Sequence, residues 1–221
     1  MLVDHVEWAL DRAQCFESKI DCPLHETKGM TGAKTRHFYN NLCSLEPLRY
    51  LEVGSYTGSS LCAALYKNPH VNAWAYDNFS EFNGPVDQFH SNIQKYIPDA
   101  NLNFKQEDFF SANLSELKNK IDVYLYDGPH ERGFHQKGIV KAWPTLAPQS
   151  VILIDDWNWS WVREGTYQGF LDVGARVSKS WEIRHTWDDT HTPEGTRESE
   201  FWNGIGIFII DKELARLPLK E

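Results

Sequence analysis

An open α/β sheet with helices on both faces is the fold this sequence predicts, on three observations. Short runs rich in β-branched and aromatic residues recur along the chain, and helix-length segments separate them. No repeat, low-complexity tract or Pro/Ser-rich linker divides the sequence. Strands joined by helical crossovers imply βαβ units and a mainly parallel sheet. A chain of 221 residues, 41% hydrophobic and 24% charged, suits one well-cored domain.

The elements follow in order. Leu2–Phe16 and Thr35–Leu45 read as helices ahead of the first strand. Strands are expected at Arg49–Val53, Val71–Tyr76, Leu102–Lys105, Asp122–Tyr126 and Val151–Ile154. Between them lie the helical segments Ser59–Tyr66, Val86–Tyr96, Leu114–Lys118 and Glu131–Trp143. After a helix over Trp161–Val177 the rhythm changes. Trp181–Trp187 and Gly204–Ile210 are consecutive strands without a helix between them, which pair antiparallel most simply. The polar stretch Asp188–Glu200 that joins them is either a plain connection or a mobile substrate lid.

Composition excludes several function classes. A net charge of −9 with no basic run argues against a nucleic-acid partner, whose phosphates demand clustered Lys and Arg. No apolar run approaches the roughly 18–20 residues that cross a bilayer. Met1–Ile20 lacks the apolar core of a signal peptide, so a cytoplasmic location is expected. Cys15, Cys22, Cys43 and Cys62 form no CxxC pair, which favours reduced thiols over a disulfide or zinc site. Aromatic residues reach 14%. Trp157, Trp159 and Trp161 follow a predicted strand, where they serve either as the flat wall of a pocket or as core.

The stretch Leu51-Glu52-Val53-Gly54-Ser55-Tyr56-Thr57-Gly58-Ser59-Ser60 is a strand, a glycine turn and a helix start. Glycines let the backbone turn sharply and approach a ligand, and the helix N-terminus offers free N–H groups. The spacing E-x-G-x-x-x-G differs from the G-x-G-x-x-G that grips a dinucleotide pyrophosphate. It suits a ligand without phosphate that needs an acid for an amino group. An ordinary βα turn is the plain alternative. Asp77 after the second strand could accept from ribose hydroxyls, and Asp108 after the third from an adenine amino group. Each alone could equally be a solvated or capping carboxylate.

These motifs resemble a known superfamily. Gly29-Met30-Thr31-Gly32 through Leu65 looks like the opening of the catechol and caffeoyl-coenzyme A O-methyltransferases, including the run from Glu52 to Ser60. Asp127-Gly128 and Asp155-Asp156-Trp157 look more like the metal-dependent sugar O-methyltransferases of antibiotic biosynthesis. The resemblance to these class I S-adenosylmethionine-dependent enzymes covers roughly residues 29–157. It implies a Rossmann-like, doubly wound sheet of seven strands in the order 3-2-1-4-5-7-6, with the last strand antiparallel. It also implies that residues 1–48 form a helical segment covering the cofactor site and residues 49–221 the core of a single domain. Glu52, Gly54, Gly58, Ser59, Asp77 and Asp108 would contact S-adenosylmethionine, flanked by Met30, Thr31, Ser55, Tyr56, Asn78, Phe109 and Asp127. Relatives often pair, so the resemblance admits a homodimer.

A second acidic cluster carries the chemistry. Asp122–Asp127 and Val151–Asp156 are strands ending in acids. On neighbouring strands about 4.8 Å apart, Asp127, Asp155 and Asp156 would emerge side by side. Like charges about 4 Å apart repel by roughly 4 kcal/mol at a semi-buried site. A divalent cation such as Mg²⁺ relieves that economically, and related enzymes hold one at matching positions. The plain alternative leaves Asp156 capping a helix and Asp127 orienting a neighbour. His130 lies in Asp127-Gly128-Pro129-His130, where the sugar-modifying relatives have a D-G-D pattern. An imidazole with its ordinary pKa could take a hydroxyl proton there; His135 is a weaker candidate.

The reading is therefore methyl transfer from S-adenosylmethionine to a hydroxyl of a small sugar-like or phenolic acceptor, with Mg²⁺ assistance and with His130 and Asp127 as catalytic groups. The rivals are a metal-independent methyltransferase, a dinucleotide oxidoreductase, and a non-catalytic cofactor-binding or interaction domain.

Overall fold

A computed structural model describes residues 1–212; the 213–221 end of the expected core lies outside the described residues. Two helices, α1 (Leu2–Gln14) and α2 (Ala33–Leu42), precede the sheet. Then come β1 (Leu48–Val53), α3 (Ser59–Leu65), β2 (Val71–Tyr76), α4 (Val86–Tyr96), β3 (Asn101–Lys105) and β4 (Ile121–Tyr126). The chain continues through α5 (Phe134–Ala142), β5 (Leu146–Asp155), α6 (Ser160–Asp172), β6 (Val177–Ile183) and β7 (Ile205–Asp211).

The seven strands lie in the order β3-β2-β1-β4-β5-β7-β6. β1, β2, β3, β4 and β5 are mutually parallel, and β7 runs antiparallel to both β5 and β6. Burial explains the order. β1, β4 and β7 are almost wholly buried, as strands covered on both faces must be. β3 alternates exposed and half-buried residues, and β6 is mostly exposed with Lys179 and Glu182 along it. Those two polar strands form the edges, which discourages pairing with another chain.

Alternate residues of each strand feed two cores. Tyr50, Val123, Leu125 and Leu153 pack with Leu10 of α1, Phe38 of α2, Leu61 of α3 and Phe89 of α4. Leu51, Tyr124, Tyr126 and Ile152 pack with Ile139 of α5 and with Val162 and Phe170 of α6. With α1 packed on α2, most polar residues of α2 are buried too, where a hydrogen-bond partner is favoured. Arg36 donates to the carbonyls of Leu24, Thr27 and Thr31, which pins the 24–31 segment.

Several boundaries differ from the sequence expectation. Leu114–Lys118 is no α-helix but a single 3₁₀ turn over Ser115–Leu117, because five residues cannot repay nucleation. α5 starts at Phe134 rather than Glu131, since Gly133 at φ 86° interrupts the backbone. α6 stops at Asp172, just ahead of the left-handed Gly174, and β6 starts at Val177, before the expected Trp181. β5 starts earlier as well, at Leu146, across a register shift that accommodates Pro148.

Candidate active site

The carboxyl ends of β1, β2, β3 and β4 open on one cavity, lined among others by Gly54, Tyr56, Asp77, Asp108, Asp127 and His130. In an open α/β sheet this is the crevice where ligands sit, because the chain leaves β1 in one direction and β4 in the other. Asp77 organises its floor. One carboxylate oxygen accepts the backbone N–H groups of Ser55 (2.8 Å) and Tyr56 (2.7 Å), and the other accepts that of Phe79 (2.7 Å). A single acid thus ties the β1–α3 turn to the loop after β2.

Gly54 closes the same turn at φ 84°, and a Cβ there would stand 1.8 Å from the carbonyl oxygen of Asp127. Glycine is therefore required by contact with the end of β4, independently of any ligand. Tyr56 also takes a left-handed φ of 46°, an uncommon state for a bulky residue and one that clusters at ligand sites.

Glu52 lies under the turn rather than in the cavity. It has no exposed surface and accepts hydrogen bonds from the Tyr50 hydroxyl (2.7 Å) and the Ser60 hydroxyl (3.0 Å). Burial raises its pKa to about 7, against the lowering effect of those two hydrogen bonds. Ser60 was not among the expected site residues; a serine one position into a helix carries no sequence signal of its own. Ser59 instead pairs with the Thr31 hydroxyl at 2.9 Å, joining the N-terminal segment to α3. Of the expected cofactor contacts, Met30, Asn78 and Phe109 line the cavity, whereas Thr31, Ser55, Gly58 and Ser59 do not. Asp108 lines it while capping its own turn through the Phe110 N–H and the Ser111 hydroxyl. Phe79, Phe82 and Phe110, which no spacing singled out, add apolar walls.

Beside the cavity, donor atoms of Asp127, His130 and Asp156 lie within 4.8 Å of one another. His130 Nε2 stands 2.5 Å from Asp156 Oδ2 and 3.4 Å from Asp127 Oδ1. Neither approach has the direction of a hydrogen bond, so that buried nitrogen has no hydrogen-bond partner among the described residues. The two carboxylates could hold a divalent ion, and the imidazole could join them as a ligand only in its neutral form. Asp156 holds its place at φ 58°, in the left-handed region. Asp155, expected in the same cluster, is not one of the three converging donors. Its pKa is nevertheless pushed far above the carboxylate range, by burial first and then by Asp127 and Asp156.

The two histidines behave differently. For His130, burial opposes protonation, but the flanking Asp127 and Asp156 carboxylates prevail and raise its pKa well above the ordinary 6.5. Those carboxylates favour the protonated ring, against the ordinary pKa expected from sequence. His135 is lowered to about 3, chiefly by burial, and neither ring nitrogen has a partner among the described residues.

The tryptophans also divide. Trp157 is fully buried and packs edge-on against Phe208, which makes it core. Trp159 and Trp161 stack at 5.6 Å and 6°, and Trp159 meets His130 and His191 edge-on at 6.0 and 5.0 Å. Trp161 donates its indole N–H to the His130 carbonyl (3.0 Å), so α6 helps hold the turn after β4.

Comparison with known proteins was consistent with this geometry. A family profile described as a methyltransferase domain matches residues 51–157. Among solved structures, a provisionally named O-methyltransferase from Nostoc punctiforme is 14% identical, covering 94% of this chain and 68% of its own, at a TM-score of 0.56. A second, from Klebsiella pneumoniae, is 13% identical over 93% of this chain and 89% of its own, at 0.55. A precorrin-6y C5,15-methyltransferase from Geobacter metallireducens is 16% identical over 79% and 85%, also at 0.55. No curated protein matches the chain by sequence.

Proposed function

We propose that this protein transfers a methyl group from S-adenosylmethionine to a hydroxyl oxygen of a small sugar-like or phenolic acceptor with the help of a divalent cation, a reading supported by the methyltransferase-domain match over residues 51–157 and by the fold. The observation that carries the proposal is the convergence of Asp127, His130 and Asp156 beside the cavity that the Gly54 turn opens into. Clustered acids and an imidazole at that place suit proton removal from an oxygen nucleophile.

S-adenosylmethionine, when bound, supplies a methyl group already activated on a sulfonium, so the protein's work is alignment and deprotonation. Asp77 fixes the β1–α3 turn, and Phe79 and Phe109 give the adenosyl side its apolar surface. Trp159 offers the acceptor a flat wall beside His130. His130 would receive the hydroxyl proton once a cation on Asp127 and Asp156 offsets the carboxylates that otherwise favour its protonated ring. A divalent cation held by Asp127 and Asp156, with Asp155 nearby, would offset the two carboxylates and acidify a hydroxyl.

A metal-independent enzyme is the second reading, favoured by the close His130–Asp156 contact, which can itself set the charge of the imidazole. The two are separated by assaying methyl transfer from S-adenosylmethionine to a panel of diols, sugars and phenols, with and without a chelator. The expected outcome is activity that chelation abolishes, Mg²⁺ or Mn²⁺ restores, and Asp156→Ala reduces at least about 100-fold. Activity indifferent to both chelator and Asp156→Ala would support the metal-free route, and no transfer to any member of the panel would favour a binding module.

A further inference from the structure

Between β6 and β7 the chain leaves the sheet for residues 184–204, and most of that excursion is polar. Two buried asparagines fasten it. Asn158, three residues beyond β5, accepts the His185 N–H (2.8 Å) and donates to the Thr192 hydroxyl (3.1 Å). Asn203, at the far end of the excursion, donates from Nδ2 to Asp156 Oδ1 at 2.7 Å, while its Oδ1 accepts the Thr192 N–H at 3.1 Å. The backbone carbonyl of Asn203 accepts the Asn158 N–H at 2.8 Å.

The orientation of the Asn203 amide is forced. A backbone N–H can only donate, so the oxygen must face Thr192 and the NH₂ must face Asp156. Asp156 is left with one oxygen committed and the other, Oδ2, turned to His130 Nε2. Asp156 lies just beyond β5 with a left-handed backbone, and Asn203 donates a hydrogen bond to its side chain there.

We propose that Asn203 is a positioning residue for Asp156, which makes the β6–β7 excursion a structural part of the acidic cluster rather than a plain connection or a free lid. The inference deepens the function proposed above and rests on Asp156 acting in that site. Ligand carboxylates are commonly fixed by such outer hydrogen bonds, and losing one typically costs about 10–100-fold in metal affinity or activity. The excursion has a separate tether at its other side. Ala33 and Lys34 at the start of α2 donate their N–H groups to the carbonyls of Glu198 and Ser199, and the Lys34 ammonium pairs with Glu200 at 2.7 Å. That provides a control which loosens the excursion without touching Asp156.

The test compares Asn203→Ala and Lys34→Ala with the unaltered protein by crystallography with S-adenosylhomocysteine and by Mn²⁺ titration. In Asn203→Ala, Asp156 Oδ2 is expected to swing away from His130. Mn²⁺ affinity should fall about 10–100-fold, with S-adenosylhomocysteine affinity within about twofold and the fold retained by circular dichroism. Lys34→Ala should leave Mn²⁺ affinity unchanged. An unmoved Asp156 in Asn203→Ala, or an equal loss in Lys34→Ala, overturns the proposal. If the unaltered protein binds no Mn²⁺, the functional reading of the cluster fails, and the crystallographic position of Asp156 alone then decides whether Asn203 orients it. Should Asn203→Ala not fold, Asn203→Ser, polar but too short to reach Asp156, is read in the same way.

Discussion

A carboxyl group with no access to water, as at Glu52, keeps its proton to a higher pH than one in an unfolded chain. Burial raises its pKa from 4.5 to about 7. Between those two values the folded protein binds the extra proton, so stability attributable to this group falls as pH rises from about 4.5 to about 7 and levels off above. Glu52→Gln imitates the protonated acid and should flatten that part of the profile. The expectation is a variant more stable than the parent at pH 8 and equal to it near pH 4.5, read as melting temperature against pH for both proteins. The reverse order at pH 8 would mean that the charged form is the one Tyr50 and Ser60 are built to hold. Asp77 shows the complementary case, an acid whose three backbone N–H partners make it a fixed anchor.

At the scale of elements, the β1–α3 turn carries the strictest requirement. Gly54 and Gly133 share a left-handed φ, 84° and 86°, but differ in surroundings. A Cβ at Gly54 would collide with the Asp127 carbonyl, whereas one at Gly133 meets nothing within 4 Å. Gly133→Ala should therefore cost only backbone strain, about 1–2 kcal/mol. Gly54→Ala adds the collision and should cost about 3 kcal/mol or more. For a domain of this size the melting temperatures should differ by several degrees; equal losses would mean that the β4 end can yield. The tail elements illustrate a different force. Gly206 in β7 faces the Trp157 ring, where an added Cβ would stand 2.7 Å away, so this interior strand is shaped around an indole rather than around a ligand.

For the whole molecule, the sheet order matters most. Loops after β1, β2, β3 and β4 line one cavity at one end of the sheet, and a ligand seated among them binds only the folded chain. S-adenosylhomocysteine at about 100 times its dissociation constant should add about 2.7 kcal/mol to stability. That is a rise of about 5–10 °C in melting temperature. NAD(H) should leave the transition in place; stabilisation by NAD(H) instead would transfer the cavity to an oxidoreductase. No helix of the described residues is long and apolar enough to cross a membrane.

The sequence by itself determined the alternation of strands and helices, because short β-branched runs and glycine turns are local signals. Val71–Tyr76 and Val86–Tyr96 are legible to the residue for that reason. It also marked the turn at Gly54 and the acids after four strands, since a residue type at a strand end is visible in one dimension. Only the tertiary structure decided which groups share space. It put Glu52 beneath the turn, sent Trp157 into the core, brought His130 between Asp127 and Asp156, and set Asn203 against Asp156. Asn158 and Asn203 belong to no motif, and their partners are distant in the chain. Their importance comes from burial and hydrogen-bond direction, which exist only once the sheet has assembled.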